Sequence, residues 1–473
     1  MTATALGSAF DLLRSSFRGA LLRPGEEGYD DTRRVWNGGV DRRPALIARC
    51  AGADDVRCAI RFARERALLT AVRCGGHSVA GLGVCDDGLM LDLALMRSVQ
   101  IDPEACTATV AGGALLGDLD RAAQRHGLAT TAGLVSHTGV GGLTLGGGLG
   151  HLMRRHGLTV DNLVSVELVT AEGDHLHVDD HTEPELFWAL RGGGGNFGVV
   201  SSFTFRLHPV GPMVFGGLVL WSIDDAQEVF EALDHAASSA PDELGMACTL
   251  RLAPPLPMLP PERVGTPVVG VLMVWSGDPA EAPAATAPLR GVGNPIVDAV
   301  KPTPYLAIQS MLDAGNPHGL RYYWRSRRVE RLSGPVGDAL VDAVGSITSP
   351  MSYVAGLVIG GAAARVAPDA TAVGPRKVGF ELNAVAAWPG PGEDDEHRTW
   401  VRTLSDRLEP HASGVFSHFL SDEGDAGVAT AFAGRMDRLR AVKDRIDPTN
   451  FFRLNANIRP SAQSGPKQRS VSS

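Results

Sequence analysis

The spacing of apolar and polar positions divides the chain into two kinds of pattern. In the N-terminal part, short apolar runs alternate with amphipathic helical stretches. Leu6, Phe10, Leu13 and Phe17 recur at helical spacing within Met1–Pro24, and Val56, Ile60, Phe62, Ala63 and Ala67 do so between Asp54 and Leu69. Residues 67–72 and 88–93 are apolar and partly β-branched, which predicts strands. Thr107–Ala111 is a further strand that leads through Gly112-Gly113 into a helix ending near Gly127. Glu183–Leu190 reads as a helix and Val199–Leu207 alternates as a strand does, so strand and helix alternate to about Pro209.

Beyond that point the pattern changes. Strands are predicted at Leu218–Trp221, Met246–Leu252, Val268–Trp275, Ala355–Gly361 and Val378–Trp388, with a helix at Ala226–Ala240 and a Pro-rich interruption at Pro254–Pro261. This suits an α+β unit, a large antiparallel sheet with helices on one face. A last helix carries Leu439, Val442 and Ile446 on one side and stops at Asp447-Pro448, and Ser461–Ser473 reads as a polar, disordered tail.

Composition narrows the picture. At 473 residues the chain exceeds the size at which single cores stop growing, so two domains are expected. A net charge of −9 with scattered basic residues argues against a nucleic-acid partner. No run reaches membrane-spanning length and no signal peptide is recognisable, which leads us to expect a cytoplasmic protein. The six cysteines show no metal-ligand spacing, so no metal is expected, and free thiols are the default. Oligomeric state is not legible.

The chemistry is concentrated in glycine clusters. Arg73-Cys74-Gly75-Gly76-His77-Ser78 lies between two predicted strands. Adjacent glycines let successive N–H groups turn onto pyrophosphate oxygens, and Arg73 can add a positive charge. A neutral imidazole at such a loop can attack an electrophilic methyl carbon of a flavin ring without a general base. A lone His after two glycines is ordinarily a turn residue. Here, however, Gly133, Gly139–Gly142, Gly146–Gly150 and Gly192–Gly198 follow, and such repetition implies backbone closely approaching a large ligand. Gly193–Gly198 also satisfies the dinucleotide fingerprint, but a helix precedes it and a strand follows, the reverse of the Rossmann order. No P-loop motif occurs.

The run Arg73–Leu93, the segment Gly139–Gly150, the pair Asp161-Asn162 and the run Glu185–Gly198 resemble the FAD-binding domain of the vanillyl-alcohol-oxidase superfamily. Arg438–Phe452 is similar to the tail of its berberine-bridge-enzyme-like branch, and the N-terminal half looks most like the bacterial nicotine-oxidase and antibiotic-modifying members. The resemblance implies a two-lobed FAD-binding domain over residues 1–210, a substrate domain over 211–420, and a segment, 421–460, that returns to the FAD domain. It makes His77 the attachment point for the 8α-methyl carbon of FAD. Arg73, Gly75, Gly76, Ser78 and Gly81 would then wrap the pyrophosphate, Gly139, Gly141 and Gly142 would pass near the ring, and Cys74, Gly133, Gly146 and Gly150 belong to the same cofactor-binding set. Asn196, Gly198, Val200 and Asn455 complete the cofactor set. Many members carry a second tether, a cysteine, where this chain has Val135, so a single covalent link is expected.

Catalysis needs a proton acceptor. Alternation along a strand puts Gly379, Glu381, Asn383 and Val385 on one face, making Glu381 a candidate acid/base and Asn383 a substrate partner. The resemblance supports Glu381, since plant members place a glutamate seven residues before the tryptophan matching Trp388. His418 is the alternative, in a run, Val415–Leu420, that replaces the usual Tyr-x-Asn-Tyr with Phe416, His418 and Phe419. Tyr322, Tyr323 and Arg325 resemble the aromatic strand that lines the family pocket, and His137 and His151 lie near the glycine loops. With few pocket charges besides Glu381 and Arg325, the substrate expected is an aromatic or amphipathic secondary metabolite, oxidised by hydride transfer to flavin with O2 as acceptor. The alternatives are a metabolite- or drug-binding resistance protein, or a redox-neutral cyclase, on the same flavin fold.

Overall fold

The computed structural model describes residue 10, residues 13–374 and residues 376–463. Leu6 of the N-terminal helical pattern and residues 464–473 of the tail lie outside the described residues. Phe10 and Leu13 are buried against Leu21, Leu46 and Phe62.

Two small sheets carry the glycine loops. In the first, Leu46–Arg49, Leu89–Asp92 and Thr70–Arg73 run parallel and Ala20–Leu22 is added antiparallel at the edge. Its strands are buried and apolar, as parallel strands covered on both faces must be, and the helix Ala53–Glu65 covers one face with Val56, Ala59, Ile60 and Ala63. The second sheet is antiparallel, in the order Val99–Asp102, Thr107–Ala111, Val199–Arg206, Leu163–Val169, His175–Val178. The chain between Arg73 and Leu89 is therefore the expected strand-to-strand loop. Likewise the helix Pro184–Leu190 precedes the Gly192–Gly198 run and the strand Val199–Arg206 follows it, the order that excludes a Rossmann unit.

The large sheet is antiparallel and nine-stranded. Its main path runs Val297–Asp298, Met213–Ser222, Pro267–Trp275, Leu244–Leu252, Tyr353–Ile359, Gly379–Trp388, Arg321–Val329, Ala412–Gly414. One face packs against the helices Ala226–Ser239, Pro335–Gly345 and Asp394–Leu408, burying Phe230, Leu340, Trp400, Leu250, Met273, Phe380 and Trp388 in one core. Each large apolar side chain enclosed this way contributes about 1.5–3 kcal/mol. The opposite face is left for the glycine-bearing lobe.

The C-terminal segment packs on the N-terminal lobe. Leu439, Val442 and Ile458 share a core with Leu186, Phe197 and Phe203. The buried Lys443 ammonium donates to the Asn196 carbonyl at 2.7 Å and pairs with Asp447 at 2.8 Å. The tail starts later than its polarity suggests. Ser461–Gln463 form a helical turn, and the Ser461 amide and hydroxyl both donate to Asp444.

Candidate active site

Between the glycine-bearing lobe and the face of the large sheet opposite those three helices lies a cavity of about 1310 Å³. One small ligand usually occupies roughly 300–1,000 Å³, so there is room for a cofactor and a substrate together.

One wall is backbone. Arg73, Cys74, Gly75, Gly76, His77, Ser78, Gly133, Gly139, Gly141, Gly142, Gly146, Gly198, Val200 and Asn455 all border the cavity. Gly75 and Gly139 meet so closely that a Cβ on either would lie 2.3 Å from the other's nitrogen. At Gly142 and Gly195 an added Cβ would meet nothing within 4 Å, so bare backbone there borders open space. The Oδ1 atoms of Asn455 and Asn457 are buried without a protein partner on the same wall. An elongated surface of exposed backbone with unanswered acceptors fits a dinucleotide such as FAD. Arg73 is less free than its sequence position implies. Its guanidinium pairs with the buried Asp92 at 3.2 Å and donates to the carbonyls of Thr32 and Arg34, so its charge is already answered.

His77 sits in an aromatic cluster. Trp36 stacks on it with ring centroids 5.0 Å apart and stacks on Tyr322 at 3.7 Å. Its Nε2 lies 2.7 Å from Nδ1 of His137, and one nitrogen each of His77, His137 and His318 falls within 4.8 Å of the others. Burial, then the neighbouring His137 and His318, pushes the His77 pKa down to about 3. The ring is neutral at pH 7 and keeps a lone pair. Three imidazoles at this spacing could also hold a cation. Val135 lies in the same wall, where a second tether would stand. Burial drives the nearby Cys74 thiol up to about 11, leaving it unreactive.

The second wall is the sheet, and its pairing sets which side chains face inward. Cross-strand partners share a face. Arg251, Tyr353, Val385 and Trp324 form one row; Thr249, Ala355, Asn383 and Ser326 the next; Ala247, Leu357, Glu381 and Arg328 the third. Asn383 borders the cavity, and its buried Oδ1 has no protein partner. His418 also borders it, pressed over Gly146, where an added Cβ would lie 2.6 Å from the His418 Cβ and 2.7 Å from its Nδ1. The His418 Nδ1 lies 2.9 Å from the Gly146 carbonyl, so Nδ1 carries the proton and Nε2 the lone pair. Burial lowers its pKa to about 4.

Several expected site residues lie elsewhere. Glu381 is on the predicted face but does not reach the cavity. It is fully buried, paired with Arg328 at 3.1 Å, and accepts from the Ser326 hydroxyl at 2.6 Å and the Phe416 amide at 3.3 Å. Phe416, under which the Arg328 guanidinium stacks at 4.3 Å, closes that corner. Tyr323 and Arg325 point to the opposite, helix-bearing face, because their neighbour Trp324 takes the cavity side. There the Tyr323 hydroxyl meets Arg325, Arg402 and Asp422. Gly81 serves a turn, with φ of 68° and Val40 within 2.5 Å of an added Cβ. Gly150 backs onto the Ala132 carbonyl. Asn196 ties its loop to the C-terminal segment through the Ala456 carbonyl and the Ile458 amide. His151 is buried, with its pKa lowered to about 4, and does not line the cavity. Trp36, His318 and Arg251 were not foreseen. They come from a loop after a helix, a turn that follows Pro317 and a strand, with no motif to mark them.

Comparison with known proteins agrees with this architecture. A family model described as "FAD binding domain" matches residues 44–179, and one described as "Berberine and berberine like" matches residues 421–459. An FAD-linked oxidoreductase of Dictyostelium discoideum is 32% identical over 94% of this chain and 95% of its own. The (R)-6-hydroxynicotine oxidase of Paenarthrobacter nicotinovorans is 30% identical over 94% and 97%. The crystal structure of 6-hydroxy-D-nicotine oxidase from Arthrobacter nicotinovorans superposes with a TM-score of 0.84, at 30% identity, covering 94% of this chain and 98% of that one.

Proposed function

Because this chain belongs to the berberine-like family of FAD-linked oxidoreductases, we propose that it is an oxidase of a small aromatic or amphipathic metabolite, with FAD tethered once, through His77, and dioxygen as the electron acceptor. The observation that carries this reading is one continuous cavity with a glycine-lined cofactor wall, a neutral imidazole at His77 and a second neutral imidazole, His418, facing the sheet.

Bound FAD supplies the hydride acceptor and the route for two electrons to dioxygen. Gly75, Gly76, Ser78, Gly139, Gly141 and Gly142 would hold it by backbone, with Asn455 at the C-terminal side. Trp36 and His137 fix the plane and the hydrogen bonding of the His77 ring, so that its nucleophilic nitrogen is aimed before any bond forms. His418 Nε2 accepts the proton that leaves a substrate O–H or N–H as the hydride departs. Glu381 acts at one remove, since its bond to the Phe416 amide and its pairing with Arg328 position the segment that bears His418. Asn383 offers the substrate a polar contact on a largely apolar wall. Leu218, Leu220, Leu272, Met311, Trp324 and Met351 give that wall its apolar surface.

The test is spectroscopic. Acid-precipitated wild-type protein should keep its yellow colour in the pellet, and His77→Ala should release it to the supernatant. Substrates found by panel should bleach the visible band anaerobically, with colour and hydrogen peroxide appearing on admitting air. Colour retained by His77→Ala would end the tether. Tight binding of metabolites without bleaching would favour sequestration over oxidation.

A further inference from the structure

Resting on that reading of the cavity, we propose that Arg251 is an anchor for a carboxylate on the substrate, so that the enzyme takes aromatic or amphipathic organic acids. Among the described residues Arg251 is the one charged side chain that the large sheet contributes to the cavity. Its Nε is buried with no hydrogen-bond partner among the described residues, and its guanidinium lies over the Tyr353 ring, 5.6 Å from the centroid. The strand Arg321–Val329 of the same sheet shows how arginines are otherwise treated. Arg321 pairs with Asp394, Arg325 with Asp422, Arg327 with Glu409 and Arg328 with Glu381. No carboxylate of the described residues answers Arg251, and burial opposes its charge. A guanidinium cannot shed its proton to escape this penalty as a lysine or histidine can. An unpaired cation withdrawn from water is costly unless a ligand completes it.

The surroundings are shaped for one planar anion. The Tyr353 hydroxyl donates to Asn316 Oδ1 at 2.7 Å, and Asn316 Nδ2 donates to the Leu312 carbonyl at 2.9 Å, so the ring beneath the guanidinium is held in place. Gly315 leaves space beside it, for a Cβ there would lie 3.9 Å from Arg251 Nη1. A guanidinium offers two parallel N–H groups that match a carboxylate's two oxygens. The sheet also sets a length. Arg251 and Val385 belong to one row two strands apart, which is about 10 Å at ordinary strand spacing. Trp324, on the next strand of that row, lies 5.9 Å from Trp36, which in turn stacks on His77. The acid group is thus held at one end of the row and the apolar body spans toward the end where the His77 cluster lies.

The experiment titrates the purified, flavin-containing protein by calorimetry at pH 7 with phenylacetate, 4-phenylbutyrate and 6-phenylhexanoate and with their methyl esters. At least one acid should bind about tenfold or more tighter than its ester. Arg251→Met should abolish that preference with flavin absorbance and melting temperature unchanged, and Arg251→Lys should restore part of it. Equal affinities for acid and ester, no binding of any acid, or a preference that survives in Arg251→Met would overturn the proposal. The acid-stable colour of the same samples reports separately on the flavin reading.

Discussion

The glycine wall presents backbone to its ligand, whereas the sheet wall presents side chains, and the two fail differently when altered. Along the first, a single added carbon either collides with neighbouring backbone, as at Gly75, or enters the ligand space, as at Gly142. Along the second, side chains alternate, so neighbours such as Tyr323 and Trp324 serve different faces. Binding by backbone tolerates almost no variation in residue type, while binding by side chains allows the pocket to be rewritten position by position on one framework.

The largest effect tests the first wall. Gly142→Leu should fold with nearly the wild-type melting temperature, since its Cβ meets no protein atom, yet be isolated colourless because the side chain fills the cofactor space. Gly75→Ala should instead lose stability by about 1–3 kcal/mol, through the backbone clash with Gly139. Urea titration and flavin absorbance on the two variants separate the cases. Normal flavin content in Gly142→Leu would show that the cofactor runs elsewhere.

On the second wall, His418 and Glu381 are adjacent in space but are assigned different work. His418→Ala should lower kcat by about 10²–10⁴-fold with little change in melting temperature. Glu381→Gln removes the carboxylate that pairs with the buried Arg328 guanidinium, which costs about 3–5 kcal/mol of stability. Its turnover, measured well below its melting point, should fall less than that of His418→Ala. The reverse ranking in kcat would return Glu381 to the role of base.

Protonation sharpens the same contrast. His151 and His418 have pKa values pushed down to about 4, and His156 to about 3, in each case chiefly by burial. An unfolded histidine titrates near 6.5, so below that pH the unfolded chain takes up protons that the folded chain refuses. Stability should be full above about pH 6.5 and fall steadily as the pH drops toward 4. Because His418 stays neutral over most of that range, kcat should hold to lower pH than an ordinary histidine base allows, losing half its value near pH 4 if the protein survives. Melting curves and initial rates from pH 7.5 to 3.5 measure both. A rate that halves near 6.5 would place the base at an exposed imidazole.

Much of the backbone wall was legible before any coordinates, and the sheet wall was not. Glycine clusters reveal themselves because few other needs place Gly75-Gly76, Gly141-Gly142 and Gly146–Gly148 so densely, and each run contributes to the cavity wall, the last of them through Gly146. Gly81, Gly150 and Asn196 belong to the same motifs but serve turns and packing, since a motif marks a neighbourhood and not a contact. The strands themselves followed from periodicity, as at Gly379–Trp388. What periodicity could not supply was the depth along the strand at which the cavity ends. Asn383 and Glu381 share a face, yet Phe416, from a distant part of the sequence, covers one and leaves the other open. For Tyr323 and Arg325, chemistry suggested a pocket, while the pairing of Trp324 with Val385 puts them on the other side.

That last distinction yields the smallest expected effect and the most direct reading of sheet register. Tyr323→Phe removes a hydroxyl that donates to Asp422 at 2.8 Å and accepts from Arg325 and Arg402 at 3.0 Å. These charged partners keep one another, because Arg325 and Arg402 both still pair with Asp422 near the surface. The loss should be about 1 kcal/mol in stability, with kcat and KM unchanged. Trp324→Ala, one residue along, removes an indole that borders the cavity and donates to the Phe419 carbonyl at 3.0 Å. It should raise KM well beyond the change in Tyr323→Phe. Two neighbours in sequence thus act as opposite faces of one sheet, and a KM shift in Tyr323→Phe equal to that in Trp324→Ala would mean the register read from Trp324↔Val385 is wrong by one residue.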